Sequence, residues 1–159
     1  MTMQMIEKLY GVLIQAASSL QSPFLLLIRL YWGWQFMQTG WGKLHDISKV
    51  IGYFTDLGIP APAFNAYFVS GLEFVGGILL MVGLASRPIA LMCVIDMIVA
   101  FVKGDLDNLK LIFADPDKFQ GAAPYQFLFA FLIVLIFGPG LFSLDALIDR
   151  MRHKRAPTA

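Results

Sequence analysis

Apolar residues in this chain fall in long blocks and do not alternate with polar residues. The four longest blocks run from about Pro23 to Trp41, Ala61 to Ala85, Pro88 to Val102 and Ala122 to Leu141. A helix needs roughly 20 residues to cross a hydrocarbon layer ~30 Å thick. The third block is shorter, but Arg87 and Lys103 flank it and can extend their charged ends to the membrane surface. The pattern predicts four transmembrane helices.

The connections between the blocks differ in character. Before the second block, apolar residues at helical spacing predict a short helix resting on the bundle, formed around Ile47, Val50, Ile51 and Phe54. A tight turn around Ser86 joins the second and third blocks. Residues 104–121 contain four Asp and two Lys and predict a solvated loop. Gly138 and Gly140 predict the end of the fourth helix.

Both ends of the chain are amphipathic. In residues 1–22 apolar side chains share one helical face, but the apolar stretch is short and interrupted by Gln15. We therefore expect an uncleaved helix along the membrane surface, not a signal peptide. Residues 143–159 predict a basic interfacial helix and tail. The predicted fold is all-α, an integral membrane four-helix bundle over residues 23–142 with amphipathic interfacial helices at both termini.

Basic residues near the ends of the predicted spans indicate the orientation. They cluster at the C-terminus and at the tight turn, namely at Arg87, Arg150, Arg152, Lys154 and Arg155. The two longer loops balance Lys against Asp. Because basic segments stay on the cytoplasmic side, we expect a multi-pass protein with both termini in the cytoplasm.

Composition supports a membrane protein and excludes several functions. Of the 159 residues, 58% are hydrophobic and 14% are charged, whereas a soluble domain carries about 25% charged residues. The net charge of +1 gives no basis for nucleic-acid binding. Cys93 is the single cysteine, so a disulfide or dithiol pair within the chain is impossible. His45 and His153 lie outside the spans, and their spacing predicts no metal site.

Three ionisable residues lie inside the predicted spans: Arg29, Glu73 and Asp96, one in each of the first three helices. Each lies on a helical face rich in small residues, so we expect the three faces to meet and form a buried polar cluster. The expected pairing places Glu73 opposite Arg29, with Asp96 either competing for the same guanidinium or protonated nearby. A buried ion pair can also serve only to fix helix register.

A second group of residues is a candidate ligand-binding set. Trp32 and Phe36 lie on or near the Arg29 side and can flank a flat ring, although packing in the core is the more common explanation for such residues. Gln38 and Lys43 offer hydrogen-bond donors. Cys93 is a further candidate, with the alternative that it is a small core residue. A quinone suits such a set, because it needs an apolar slot and polar groups near its oxygens. No catalytic residue can be assigned.

Six short motifs follow one another along roughly residues 25–147: R-x₃-G, GxxKL, LGxPxP, ExxGG, GLxxR and GPGxxSLD. Their order and spacing resemble the DoxX family of small four-helix bacterial membrane proteins. By matching position, the family's characteristic polar and glycine residues correspond to Arg29, Gly40, Lys43, Glu73, Gly77, Arg87 and Asp145. The chain departs from the family at Lys103, where many members have His, and at Gln126, where an acid is common. Both departures weaken a proton-relay or metal role based on the resemblance.

The resemblance implies the bacterial cytoplasmic (inner) membrane and two functional hypotheses. The first is a redox-associated subunit that works with a quinone or a quinone-linked oxidoreductase partner. The second is a non-enzymatic scaffold or assembly factor that holds a partner protein at the membrane. The sequence leaves open whether the chain is itself an enzyme, and whether it associates with a protein partner or with further copies of itself in the lipid.

Overall fold

The computed structural model describes residues 3–155, with side chains through residue 153, and all regular structure in that range is helical. The predicted all-α fold is confirmed for these residues. The elements are α1 (Met3–His45), α2 (Ile47–Asp56), α3 (Pro62–Val82), α4 (Ser86–Val99), α5 (Leu106–Lys110), α6 (Pro116–Gly121), α7 (Ala123–Phe137) and α8 (Leu144–Arg155). A π-helical segment, Ala100–Gly104, continues directly from α4.

The first helix differs from the sequence-based prediction. The expected surface helix over residues 1–22 and the first span form one continuous helix of 43 residues that contains Pro23. At 1.5 Å per residue, α1 is about 65 Å long, roughly twice the thickness of a hydrocarbon layer. Its residues 3–21 are all exposed, and packing against other helices begins only beyond them. Residues 1–2 and 156–159, which belong to the predicted terminal segments, lie outside the described residues.

The predicted solvated loop over residues 104–121 contains two short helices. In each, an acidic residue precedes a lysine by three positions: Asp107 pairs with Lys110 at 3.7 Å, and Asp115 with Lys118 at 3.0 Å. Asp115 also accepts a hydrogen bond from the backbone N–H of Lys118 at 3.3 Å, which caps the start of α6. These local contacts allow single helical turns to form in a polar segment. The short helix predicted before the second block is confirmed as α2.

α1 and α3 pack with their backbones close together. A Cβ atom added to Gly77 would lie 2.6 Å from the carbonyl oxygen of Gly33, and one added to Gly33 would lie 2.9 Å from the carbonyl oxygen of Gly77. Only glycine leaves room for this approach, as is common where helices associate in membranes. Gly40 makes a similar approach to the backbone of Phe74. The two helices therefore run antiparallel with Gly33 facing Gly77 and Gly40 facing the turn before Glu73.

The buried core lies between α1, α3, α4 and α7. It consists of Phe36, Leu80, Ala90, Cys93, Val94, Met97, Phe131 and Val134. Outside this core the surface is strongly apolar: Val75, Ile95 and Ile136 are 51%, 54% and 63% exposed. A soluble protein rarely exposes so continuous an apolar surface. By length and composition α1 and α3 could each cross a membrane, and α7 is a shorter apolar helix.

One end of the molecule is held together by backbone hydrogen bonds. Arg29 is 1% exposed and donates from Nη1 to the carbonyl of Pro139 and from Nη2 to that of Phe142, both at 2.6 Å. Asp145 accepts from the backbone N–H groups of Ala85 and Ser86, both at 2.8 Å. These contacts join the α3–α4 turn to the segment between α7 and α8, which we call the latch segment (residues 138–145).

Candidate functional site

A cavity of about 390 Å³ lies at the end of the molecule opposite the latch segment. Its floor comes from α1, α3, α4 and α7, and its rim from α2, the loop after α2 and the π-helical segment. Its lining includes Phe36, Lys43, Val69, Glu73, Asp96 and Phe127. Its size falls within the range of pockets that hold small organic ligands, roughly 300–1,000 Å³.

Lys43 and Glu73 form an ion pair at the bottom of this cavity. Lys43 Nζ donates to Glu73 Oε1 at 2.5 Å. The Glu73 side chain is only 3% exposed, whereas that of Lys43 is 33% exposed. Lys43 lies in the last turn of α1. The glycines at the contact between α1 and α3 bring Glu73 within its reach. The carboxylate within the apolar second block therefore has a cationic partner on the first helix.

The predicted pairing of Glu73 with Arg29 is wrong. Arg29 lies at the latch segment and uses its guanidinium for the carbonyls of Pro139 and Phe142. Arg29 and Lys43 lie on the same stripe of α1 but 14 residues apart, which corresponds to about 21 Å along a helix. The proposed three-residue polar cluster is therefore divided: Glu73 and Asp96 line one cavity, and Arg29 serves the opposite end.

Asp96 lines the cavity from α4 and faces the same space as Glu73. Oδ2 of Asp96 and Oε2 of Glu73 are both buried, and no protein group in the described range donates a hydrogen bond to either. A buried carboxylate oxygen without a donor is costly, since the lost hydration is not replaced. The cavity thus presents two acceptor oxygens to whatever occupies it.

The π-helical segment shapes the rim of the cavity. It contributes Ala100, Lys103 and Gly104, and Asp105 follows directly. Insertions of this kind interrupt an α-helix and frequently occur at functional sites. A Cβ atom on Gly104 would lie 2.8 Å from the hydroxyl oxygen of Tyr53, so glycine allows α2 to close over this rim. Lys103, where many members of the family have His, is therefore part of the cavity rim.

The apolar wall consists largely of aromatic rings. Phe36 and Phe127 have ring centroids 5.2 Å apart, and Phe36 packs edge-on against Phe131 with centroids 4.7 Å apart. Met97 and Phe54 extend the wall. Side chains packed this closely have fixed positions, so the wall is a preformed apolar surface beside the charged groups.

The remaining candidate ligand residues lie away from the cavity. Trp32 packs edge-on against Phe127 with centroids 5.5 Å apart, beside a small gap that also borders Arg29. Gln38 is exposed on the outer surface of α1. Cys93 is fully buried in the core. Of the five candidates, Phe36 and Lys43 line the cavity.

Sequence reasoning missed the lining residues that come from outside the main helices. These are Tyr53, Phe54, Leu57, Ile59, Ala100, Lys103, Gly104 and Asp105. The amphipathic pattern that predicted α2 contained a signal for part of this set, because an apolar face resting on the bundle must cover something. Within residues 3–155, no group of three or more His, Cys, Asp or Glu side chains is placed to hold a metal ion.

Comparison with known proteins places these features in a family. The DoxX family profile matches residues 24–105, which carry all the glycines of the α1–α3 contact and the cavity carboxylates of Glu73, Asp96 and Asp105. The chain is similar to "Uncharacterized membrane protein Rv3486" of Mycobacterium tuberculosis, with 32% identity over 135 residues, 80% of this chain and 83% of the relative.

A second relative is named as an oxidoreductase. The chain is 31% identical over 77 residues to a Bacillus subtilis protein named "Putative oxidoreductase CatD". This match covers 48% of the chain and only 56% of that relative. No solved structure matches the chain. The profile match and the similarity to Rv3486 along most of both chains lead to the same conclusion: this membrane protein belongs to the DoxX family.

Proposed function

We propose that this chain is a redox-associated membrane subunit that holds a quinone-type ring in the cavity between α1, α3, α4 and α7. The observation that carries the proposal is a preformed aromatic wall facing two buried carboxylate oxygens that lack donors. A ring that bears oxygen substituents matches both surfaces at once. The name of the similar protein CatD supports an oxidoreductase context.

The chain's own residues have distinct tasks in this proposal. Phe36 and Phe127 would pack against the ring and exclude water from it. Lys43 would donate to a ring oxygen with the N–H groups that Glu73 does not use. Glu73 and Asp96 would accept protons or hydroxyl hydrogen bonds at Oε2 and Oδ2. A bound quinone would supply the two-electron, two-proton redox chemistry, and electrons would pass to or from an oxidoreductase partner.

Filling the cavity should abolish quinone binding without disturbing the fold. Val69 lines the cavity on α3, whereas Val75 lies on the same helix, 51% exposed on the outer surface. Val69→Phe should remove binding of a water-soluble benzoquinone to the purified protein, measured by calorimetry, and should reduce the quinone extracted from it. Val75→Phe is the matched control and should bind like the wild type. Equal binding by both variants would place the ring elsewhere.

We further propose that α1, α3, α4 and α7 form a four-helix bundle that crosses the bacterial inner membrane, with both termini in the cytoplasm. Supporting this orientation, Arg87 and Arg152 line one crevice beside the latch segment, and basic residues favour the cytoplasmic side. The cavity then opens toward the outer face. Labelling of single cysteines introduced at Asp107 and Asp149, in a Cys93→Ala background, with a membrane-impermeant maleimide tests this. Asp107→Cys should react in intact spheroplasts and Asp149→Cys only after lysis.

A second candidate function is a scaffold that holds a partner protein, and one observation favours it. The N-terminal half of α1 projects beyond the packed helices, with Leu9 and Leu13 58% and 63% exposed. Deletion of residues 3–20 should release a stoichiometric co-purifying protein if this half of the helix is a docking element. Val69→Phe should then leave the association intact. Loss of the partner in Val69→Phe alone would instead connect the association to the cavity.

A further inference from the structure

We propose that the cavity binds the reduced, hydroxyl-bearing form of its ring ligand more tightly than the oxidised, carbonyl-bearing form. The inference rests on the proposed function, because it concerns the same cavity, and it adds which redox form the side chains select. It follows from the balance of hydrogen-bond donors and acceptors around the cavity.

The buried carboxylates of the cavity distinguish the two redox forms. Glu73 Oε2 and Asp96 Oδ2 are buried without a donor, so each gains from a ligand O–H. A hydroquinone has two such groups, whereas a quinone has only carbonyl oxygens and offers none. A bound quinone would seal both carboxylate oxygens from water without replacing their lost hydrogen bonds, and that cost would reduce its affinity.

The donors in the cavity do not offset this difference. The Thr39 hydroxyl donates to the carbonyl of Gln35 at 2.7 Å, so its single hydrogen is occupied. Asn65 donates to the carbonyl of Pro60 at 2.6 Å. Lys43, Lys103 and Tyr53 line the cavity and can also donate, but a hydroxyl oxygen accepts such hydrogens as a carbonyl does. The available donors therefore serve both redox forms, and the two carboxylate oxygens serve only the reduced form.

Protonation of one carboxyl still leaves an acceptor oxygen in the cavity. A proton on Asp96 would remove one acceptor, but Oε2 of Glu73 would remain, because the contact with Lys43 engages only Oε1. That oxygen still gains a hydrogen bond only from a ligand that has an O–H group. A hydrogen bond to a charged group contributes enough for a preference of about tenfold. A tenfold preference for the reduced form would raise the potential of the bound couple by about 30 mV, which favours electron flow from a partner onto the ring.

Equilibrium binding to the full-length protein in detergent tests the proposal under anaerobic, mildly alkaline conditions. The probes are a short-chain dimethoxy benzoquinone, its hydroquinone, and the dimethyl ether of that hydroquinone, which keeps the ring but has no O–H. Calorimetry should give about tenfold tighter binding for the hydroquinone than for the quinone. The ether should bind no better than the quinone. This comparison of three ligands needs no variant.

A variant assigns the preference to the carboxylate. Asp96→Asn replaces a carboxylate oxygen by an amide that can also donate, so the ratio of the two affinities should fall, while Oε2 of Glu73 keeps it above one. Asp107→Asn changes a carboxylate whose side chain is fully exposed, and it should keep the wild-type ratio. Equal affinities in the wild type, tighter binding of the quinone, or an unchanged ratio in Asp96→Asn would overturn the proposal while leaving the ring site intact. Absence of binding by every probe would overturn the proposed function as well.

Discussion

Replacing Lys43 by methionine should destabilise the protein more than replacing Glu73 by glutamine, although both changes break the same ion pair. The two side chains differ in exposure, 33% for Lys43 and 3% for Glu73. Lys43→Met leaves a carboxylate buried without its cation. Glu73→Gln leaves an ammonium group that can turn toward water along its flexible side chain.

The magnitude follows from this difference in exposure. Removing one member of a fully buried pair costs about 3–5 kcal/mol. Because Lys43 is partly exposed, the pair contributes less, and we expect a loss of about 2–3 kcal/mol for Lys43→Met and about 1 kcal/mol for Glu73→Gln. The double variant has neither buried charge, so it should be more stable than the sum of the single losses predicts, by about 1–2 kcal/mol.

Reversible unfolding in mixed detergent micelles, followed by circular dichroism, measures these losses for the wild type, both single variants and the double variant. The matched control is the cycle of Arg29→Lys with Glu73→Gln. Arg29 shares no hydrogen-bond partner with Glu73, so those two losses should add. Additive losses for Lys43 and Glu73, or coupling between Arg29 and Glu73, would refute the assignment of the pair.

Three further changes are expected to alter stability in the same assay. Gly77→Ala should cost about 1–3 kcal/mol, because the new Cβ would lie 2.6 Å from the carbonyl oxygen of Gly33; Gly71→Ala on the same helix meets nothing within 4 Å and should be neutral or stabilising. Asp145→Asn keeps one acceptor for the two N–H groups before α4 and should cost about 1–2 kcal/mol, with faster amide exchange there. Arg29→Lys loses one of two carbonyl contacts and should cost about 1.5–3 kcal/mol, with faster exchange across the latch segment.

The sequence contains enough information for most elements of the fold. Apolar blocks predict α3, α4 and α7 because each must bury one face and offer the other to lipid. The continuity of α1 could not be predicted, because Pro23 ordinarily ends a helix. In the structure that proline removes a single backbone N–H, and the turns on both sides remain helical, as transmembrane helices often allow. Whether a helix ends at a proline or continues through it depends on contacts outside the local sequence.

The partner of Glu73 was predicted wrongly for a reason that lies in helix register. Arg29 and Lys43 share a stripe on α1, so periodicity alone cannot choose between them. The antiparallel contact of Gly33 with Gly77 decides the matter. Moving along α1 from Gly33 toward Lys43 moves along α3 from Gly77 back toward Glu73, whereas Arg29 lies in the other direction, beside Gly83. Matching the small residues of the two helices before pairing the charges would have given the observed ion pair.

The two ends of the molecule differ in how their carboxylates are satisfied, and this difference favours one of them as the functional end. At the latch segment, both carboxylate oxygens of Asp145 and both Nη atoms of Arg29 have backbone partners, although Arg29 Nε and Ser86 Oγ have none among the described residues. At the cavity, two carboxylate oxygens lack donors, and a π-helical segment follows α4 where it borders the same space. A group that is fully hydrogen-bonded within the protein gains little from a ligand, whereas one without a partner gains the whole of a new hydrogen bond. Ligand binding should therefore act on the cavity end, while the latch segment holds the helices in register.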